Sequence, residues 1–195
     1  MHQEFSENLD RANAKYTASR EFDGLFDDMA KTFNVPREKI NFKTAHLFLD
    51  DYLTSQANKK PVPKFENMLP TEVRIQNYMK AYLYEGRFGN SHGLARVASH
   101  SFLNYVLTAM YGKVQTSNGN LENSHYEHLK YSQFMGNENA ILAANRAINN
   151  DDAKVPGFGS KLRFELFESN GRNYVKTTYD DQPVRMGTSS DGVLP

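Results

Sequence analysis

The chain has 195 residues, with 23 lysines and arginines against 23 aspartates and glutamates and no cysteine. That length fits one domain of ordinary size; the zero formal charge leaves no basic field for nucleic acid or anionic lipid. The lack of cysteine excludes disulfides, thiolate nucleophiles and sulfur-ligated metals, and favours a reducing compartment such as cytoplasm or an organelle matrix.

The opening, Met1 to Asn8, is polar and acidic, unlike a signal peptide, and residues 1–19 read as an N-terminal extension. Phe22, Leu25, Phe26, Met29 and Phe33 then recur at the helical period, and Asn34-Val35-Pro36 closes that helix. Ala45, Leu47, Phe48, Leu49, Tyr52 and Leu53 predict a second helix, followed by a polar loop through Pro61 and Pro63. Pro70-Thr71-Glu72 opens a third, with Val73, Ile75, Tyr78, Met79, Tyr82 and Leu83 on its buried face and a stop at Gly86. A fourth runs from His92 to Met110, with Leu94, Val97, Ala98, Phe102, Tyr105, Val106 and Ala109 inward. No run approaches the roughly 20 apolar residues of a membrane helix.

After Tyr111 the pattern changes. Residues 116–124 are rich in turn formers and read as a surface loop. Leu129 to Met135 reads as a short aromatic strand, and Ala140 to Ile148 as a helix, giving strand, turn, helix around Gly136-Asn137-Glu138-Asn139. Leu162 to Phe167 and Tyr174 to Tyr179 alternate as strands about Asn170-Gly171, the signature of an antiparallel hairpin. The tail 187–195 reads as mobile. The predicted fold is α/β: a helix-rich half of about four helices (20–111), then a short mixed sheet ending in the hairpin (112–186), in one domain. The predicted core is Phe26, Met29, Leu49, Val73, Leu83, Leu94, Phe102, Val106, Ile141, Leu142, Leu162, Phe164 and Leu166.

The run Val155-Pro156-Gly157-Phe158-Gly159-Ser160-Lys161-Leu162-Arg163-Phe164-Glu165-Leu166 before a hairpin resembles the histidine acid phosphatases: proline, aromatic, small residue, serine, then a Phe-Glu-Leu strand. The helical pattern from Phe22 to Tyr84 resembles that family's helical domain, and His92-Gly93-Leu94 its glycine-led helix before the catalytic strand. The resemblance spans roughly residues 20 to 180, the later half of a full-length member. It implies phosphomonoester hydrolysis by a histidine nucleophile in Arg-His-Gly and a proton donor in a His-Asp pair. No Arg-His-Gly occurs here, and Asn137-Glu138 stands at the position of the pair.

The resemblance therefore implies a degenerate site. Asparagine cannot supply a phosphate-binding charge, and Glu138 is the one candidate acid left. A plainer reading is that Asn137 caps the following helix, with Glu138 in its first turn. Arg87, Arg96 and Arg163 are the candidates for binding a phosphorylated ligand. His92, His100, His125 and His128 lack the spacing of a zinc site, Gly86 to Gly93 lacks a P-loop ending, and no Gly-x-Ser-x-Gly occurs, so no metal and no cofactor is expected. Three readings follow: a non-catalytic accessory subunit in a hetero-oligomer with other proteins, one part of a split or processed phosphatase, and a binding module for phosphorylated ligands.

Overall fold

Phe5, Leu9, Ala12 and Tyr16 recur at steps of four, three and four, and this stripe makes the segment a helix, α1 (His2–Ser19), rather than a bare extension. The computed structural model describes residues 2–65, 68–89, 91–119, 125–150, 154–184, 186 and 192–194, except the side chains of 2 and 68–71. The chain divides into two compact units, Met1–Ser91 and His92–Pro195.

The first unit holds α1, α2 (Asp23–Phe33), α3 (Ala45–Ala57) and α4 (Met68–Ala81), which continues into a π-helical turn, Tyr82–Arg87. Helix α2 stops where Asn34 turns left-handed at φ 51°, letting the Val35 N–H reach back to the Ala30 carbonyl at 3.0 Å; Pro36 then bars continuation. Asn41 sets the entry to α3, its side chain accepting from the Lys43 N–H at 2.9 Å.

The core of this unit is a stack of aromatic rings. Tyr78, fully buried, meets Phe22, Phe26 and Phe42 edge to face at centroid distances of 5.6, 5.7 and 5.5 Å, and its hydroxyl donates to the Phe42 carbonyl at 2.9 Å. Edge-to-face contact suits the ring quadrupole, and the hydrogen bond removes the cost of a buried hydroxyl. Helix α1 is fixed to the π-helical turn at Glu85, which accepts from Tyr16 at 2.9 Å and pairs with Lys15 at 2.6 Å.

The second unit holds α5 (His92–Ser117), α6 (Glu138–Ala147) and an antiparallel sheet of β1 (Leu162–Ser169), β2 (Arg172–Tyr179), β3 (Gln182–Pro183) and β4 (Val193–Leu194). The predicted mixed α/β class holds, with helices first and sheet last; among the described residues every strand pairing is antiparallel. The hairpin forms as its sequence predicts: Ser169 faces Arg172, and Asn170 and Gly171 take φ of 53° and 71°. β3 and β4 both lie on the other side of β2 from β1. Tyr179 and Val184 form the sheet's buried cluster, with Ile141 and Ile148 of the α6 region packed on it beside Leu162.

Several expectations need correction. Residues 129–137 form no strand: 131–137 carry no helix, turn, bend or ladder, and Leu129 is the last residue before Ala140 to donate a backbone hydrogen bond to backbone. A strand exists through its ladder, and no other segment of the described chain pairs with this one. Helix α5 runs beyond Met110 to Ser117, taking the first residues expected in a loop; 120–124 lie outside the described residues. Its buried line is Ala95, Ser99, Ala109 and Gly112, so Val97 (57% exposed), Ala98 and Tyr105 point outward. At Gly112 the missing side chain leaves room for the Tyr126 ring, and the apolar Val97 and Tyr105 beside that line are left to solvent.

Val73, expected in the core, is 61% exposed. Phe26, Met29, Leu49, Leu83 and Leu142 are buried, while Leu94, Phe102, Val106, Ile141, Leu162, Phe164 and Leu166 are half-buried. In the tail read as mobile, Val193 and Leu194 pair with β2 as β4; 187–191 and 195 lie outside the described residues. Gly192 makes this possible, with φ 76° and a carbonyl that accepts from the Thr177 N–H at 2.8 Å.

Candidate functional site

Asn137 is the residue before α6, and its backbone is extended at φ −82°, ψ 174°. In that conformation its side-chain oxygen accepts the Ala140 N–H at 3.2 Å, satisfying one of the helix's orphan donors. Glu138 is exposed in the first turn, where the helix dipole favours a carboxylate, and its Oε1 accepts from the Asn139 amide at 3.3 Å. Among the described residues no hydrogen bond or ion pair joins a cationic side chain to either residue.

Arg96 and Arg163, the candidate arginines of the same unit, are engaged with other groups. Arg96 lies at the far end of α6, its Nε 3.5 Å from the Ala147 carbonyl and its Nη2 3.5 Å from Asn149 Oδ1. A ten-residue helix is about 15 Å long, which separates Arg96 from Glu138 and makes it a partner for the helix's last carbonyls. Arg163, on β1, pairs with Asp181 at 3.5 Å and Glu165 at 3.8 Å. Arg87 belongs to the first unit, where its guanidinium carbon stands 5.4 Å from the Tyr82 ring centroid.

The motif that carries the resemblance has a clear local cause. Ser160 Oγ accepts the Gly157 N–H at 2.9 Å and donates to Asp180 at 3.0 Å, and Asp180 also accepts the Lys161 N–H at 2.8 Å. The run 155–161 is thus the turn that feeds β1, fixed to the β2–β3 turn, where Asp180 and Asp181 have φ of 48° and 65°. A bond from Lys161, with the charge of Arg163 nearby, holds the Asp181 carboxyl below the usual range.

Of the histidines, His92 lies with Nδ1 3.0 Å from the Arg146 carbonyl oxygen, so that nitrogen is assigned the proton. His125 packs on Tyr126 at 3.8 Å between centroids. Among the described residues no group of three or more His, Asp or Glu is placed to hold a metal ion.

Two features were not singled out from the sequence. One is the Lys15, Tyr16 and Glu85 cluster on the π-helical turn, where burial, and then the bond to Glu85, push the Tyr16 hydroxyl up to about 12. The α1 stripe was its available signal. The other is the exposure of the aromatic stretch that the sequence marks as a strand: Tyr131 is 76%, Phe134 50% and Met135 91% exposed. The Phe134 ring rests on Phe102 at 5.3 Å and Tyr105 at 4.9 Å, both on α5.

The fold defines a mixed α/β protein in which the segment entering α6 is built as a helix cap. No protein-family model matches the chain, and no curated protein or solved structure matches it significantly. No described helix is long and apolar enough to cross a membrane.

Proposed function

We propose that this chain is a non-catalytic, histidine-phosphatase-like accessory subunit that works through contact with other proteins. The observation that carries the reading is the Asn137 side chain, engaged by the Ala140 N–H in the place where the resemblance puts a phosphate-binding histidine. A carboxamide does not titrate between pH 2 and 12 and brings no positive charge to a dianionic phosphoryl group. Glu138 alone could protonate a leaving alcohol, but among the described residues no cationic side chain is paired with it, and Arg96 and Arg163 are engaged with other groups. Exposed Tyr131, Phe134 and Met135 suit a contact surface more than a solvated loop.

The test is gentle purification of the chain with its partners, the mass of the intact complex, and a phosphomonoester assay on the same material at acid and neutral pH. A defined hetero-complex with no turnover is the expected result. Hydrolysis that is lost in Glu138→Gln would overturn the reading in favour of a split enzyme whose partner supplies the nucleophile.

A further inference from the structure

Helix α5 carries an exposed stripe at the alternating spacing of a helix–helix seam: Val97, His100, Asn104, Leu107 and Tyr111. Val97, Leu107 and Tyr111 are 57%, 68% and 64% exposed, and His100 and Asn104 are exposed beside them. No aspartate, glutamate, lysine or arginine occurs from Val97 to Gly112, in a chain that is 24% charged. A solvated helix face normally carries charge; depletion of charge together with exposed aromatic side chains is the composition of an interface centre. Phe134 extends the stripe sideways, its ring resting on Tyr105 at 4.9 Å, and Met135 follows it, almost wholly exposed.

We propose that this face of α5 is the contact between two copies of the chain, packed antiparallel about a two-fold axis at Asn104. The charge pattern selects a second copy as the occupant. A two-fold sets the centre of a face against itself, so a charge there would meet its own sign; this face has none. Asn104 at the centre offers both a donor and an acceptor, so the two amides pair with each other and fix the register. Val97 and Tyr111 lie at equal distances in sequence on either side of Asn104, so each Val97 meets the other copy's Tyr111. The antiparallel sense also opposes the two helix dipoles and keeps the two His100 rings apart. The area is sufficient: Tyr105, Tyr111 and Phe134, at 41%, 64% and 50% exposed, show about 300 Å² if a whole ring residue shows roughly 200 Å². Val97, Leu107 and Met135 raise the patch to about 600 Å², the share per partner of the smaller specific interfaces. The inference goes beyond the accessory-subunit reading and does not depend on it.

The test is the mass of the full chain by sedimentation from about 1 to 300 µM, over which a dimer forms with a Kd of about 1–100 µM. Asn104→Asp and Asn104→Lys each weaken it at least about tenfold, because like charges meet at the axis, and mixing the two variants restores it. Leu107→Glu weakens it by at least about tenfold as well, whereas Val73→Glu, at an exposed apolar position on α4, leaves it unchanged. These positions are exposed, so each variant keeps the circular dichroism spectrum of the parent. The chain has no cysteine, so Val97→Cys and Tyr111→Cys report the sense of packing: their mixture cross-links one variant to the other, and neither cross-links alone.

A monomer throughout that range would overturn the proposal, as would a dimer that survives Asn104→Asp and Leu107→Glu, or one that Val73→Glu weakens equally. Failure of the mixed Asn104 variants to restore the dimer would overturn the two-fold at that residue, and cross-linking of each cysteine variant to itself would overturn the antiparallel sense. A monomer that enters a defined hetero-complex without turnover would defeat the dimer and leave the accessory-subunit reading standing, whereas a dimer that hydrolyses phosphomonoesters would do the reverse.

Discussion

Replacing Asn137 by alanine removes the acceptor for the Ala140 N–H, which lies 3.2 Å from the side-chain oxygen. Loss of an N-cap of this kind costs about 1 kcal/mol, within a range of roughly 0.5–2. The loss is not confined to one turn, because α6 buries Leu142, Ala143, Ala144 and Asn145, each no more than 2% exposed. For a unit of about 100 residues, 1 kcal/mol lowers Tm by about 4–8 °C.

Asn137→Asp keeps the acceptor and adds a negative charge at the helix N-terminus, so its Tm should equal or exceed that of the parent. Glu138→Gln gives up only the exposed interaction with the dipole, about 0.3–1 kcal/mol. Thermal unfolding followed by circular dichroism, with urea titration on the same variants, reads all three. An unchanged Tm for Asn137→Ala, or a fall in Asn137→Asp as large as in Asn137→Ala, would refute the capping role and return the junction to consideration as a chemical site.

Tyr78→Phe keeps the three edge-to-face contacts and strands the buried Phe42 carbonyl, so it should cost about 1–2 kcal/mol, whereas Tyr78→Ala should cost about 3–5; urea midpoints separate the two. Gly192→Ala would set a methyl 2.6 Å from the Thr177 carbonyl oxygen at φ 76°, and faster amide exchange at Thr177 should report the loss of β4 pairing. The Tyr16 hydroxyl, pushed up to about 12 from an ordinary value near 10, stays protonated in the folded chain where the unfolded chain ionises. Its contribution is therefore fully present below about pH 10 and lost as the pH rises to about 12; Tyr16→Phe should flatten that alkaline arm of the urea midpoint.

The sequence by itself determined the local elements. The stripe Phe22, Leu25, Phe26, Met29 defined α2, Asn34-Val35-Pro36 its end, Asn137 the start of α6, and Asn170-Gly171 the register of the β1–β2 hairpin. Each is a property of residues within a few positions of one another. The α1 stripe of Phe5, Leu9, Ala12 and Tyr16 was equally legible, although the polar, acidic opening makes residues 1–19 read as an extension.

Only the tertiary structure decided the rest. Residues 129–135 have the composition of a strand yet pair with nothing among the described residues, since a ladder requires a second segment that no local pattern supplies. Val73 and Val97 share the helical period with their buried neighbours but point outward, because the side of a helix that is covered depends on what packs against it. Arg96 and Arg163 were alike in sequence as phosphate candidates. One meets the last carbonyls of α6 and the other Asp181, partners about 50 and 20 residues away in sequence that folding alone brings within reach.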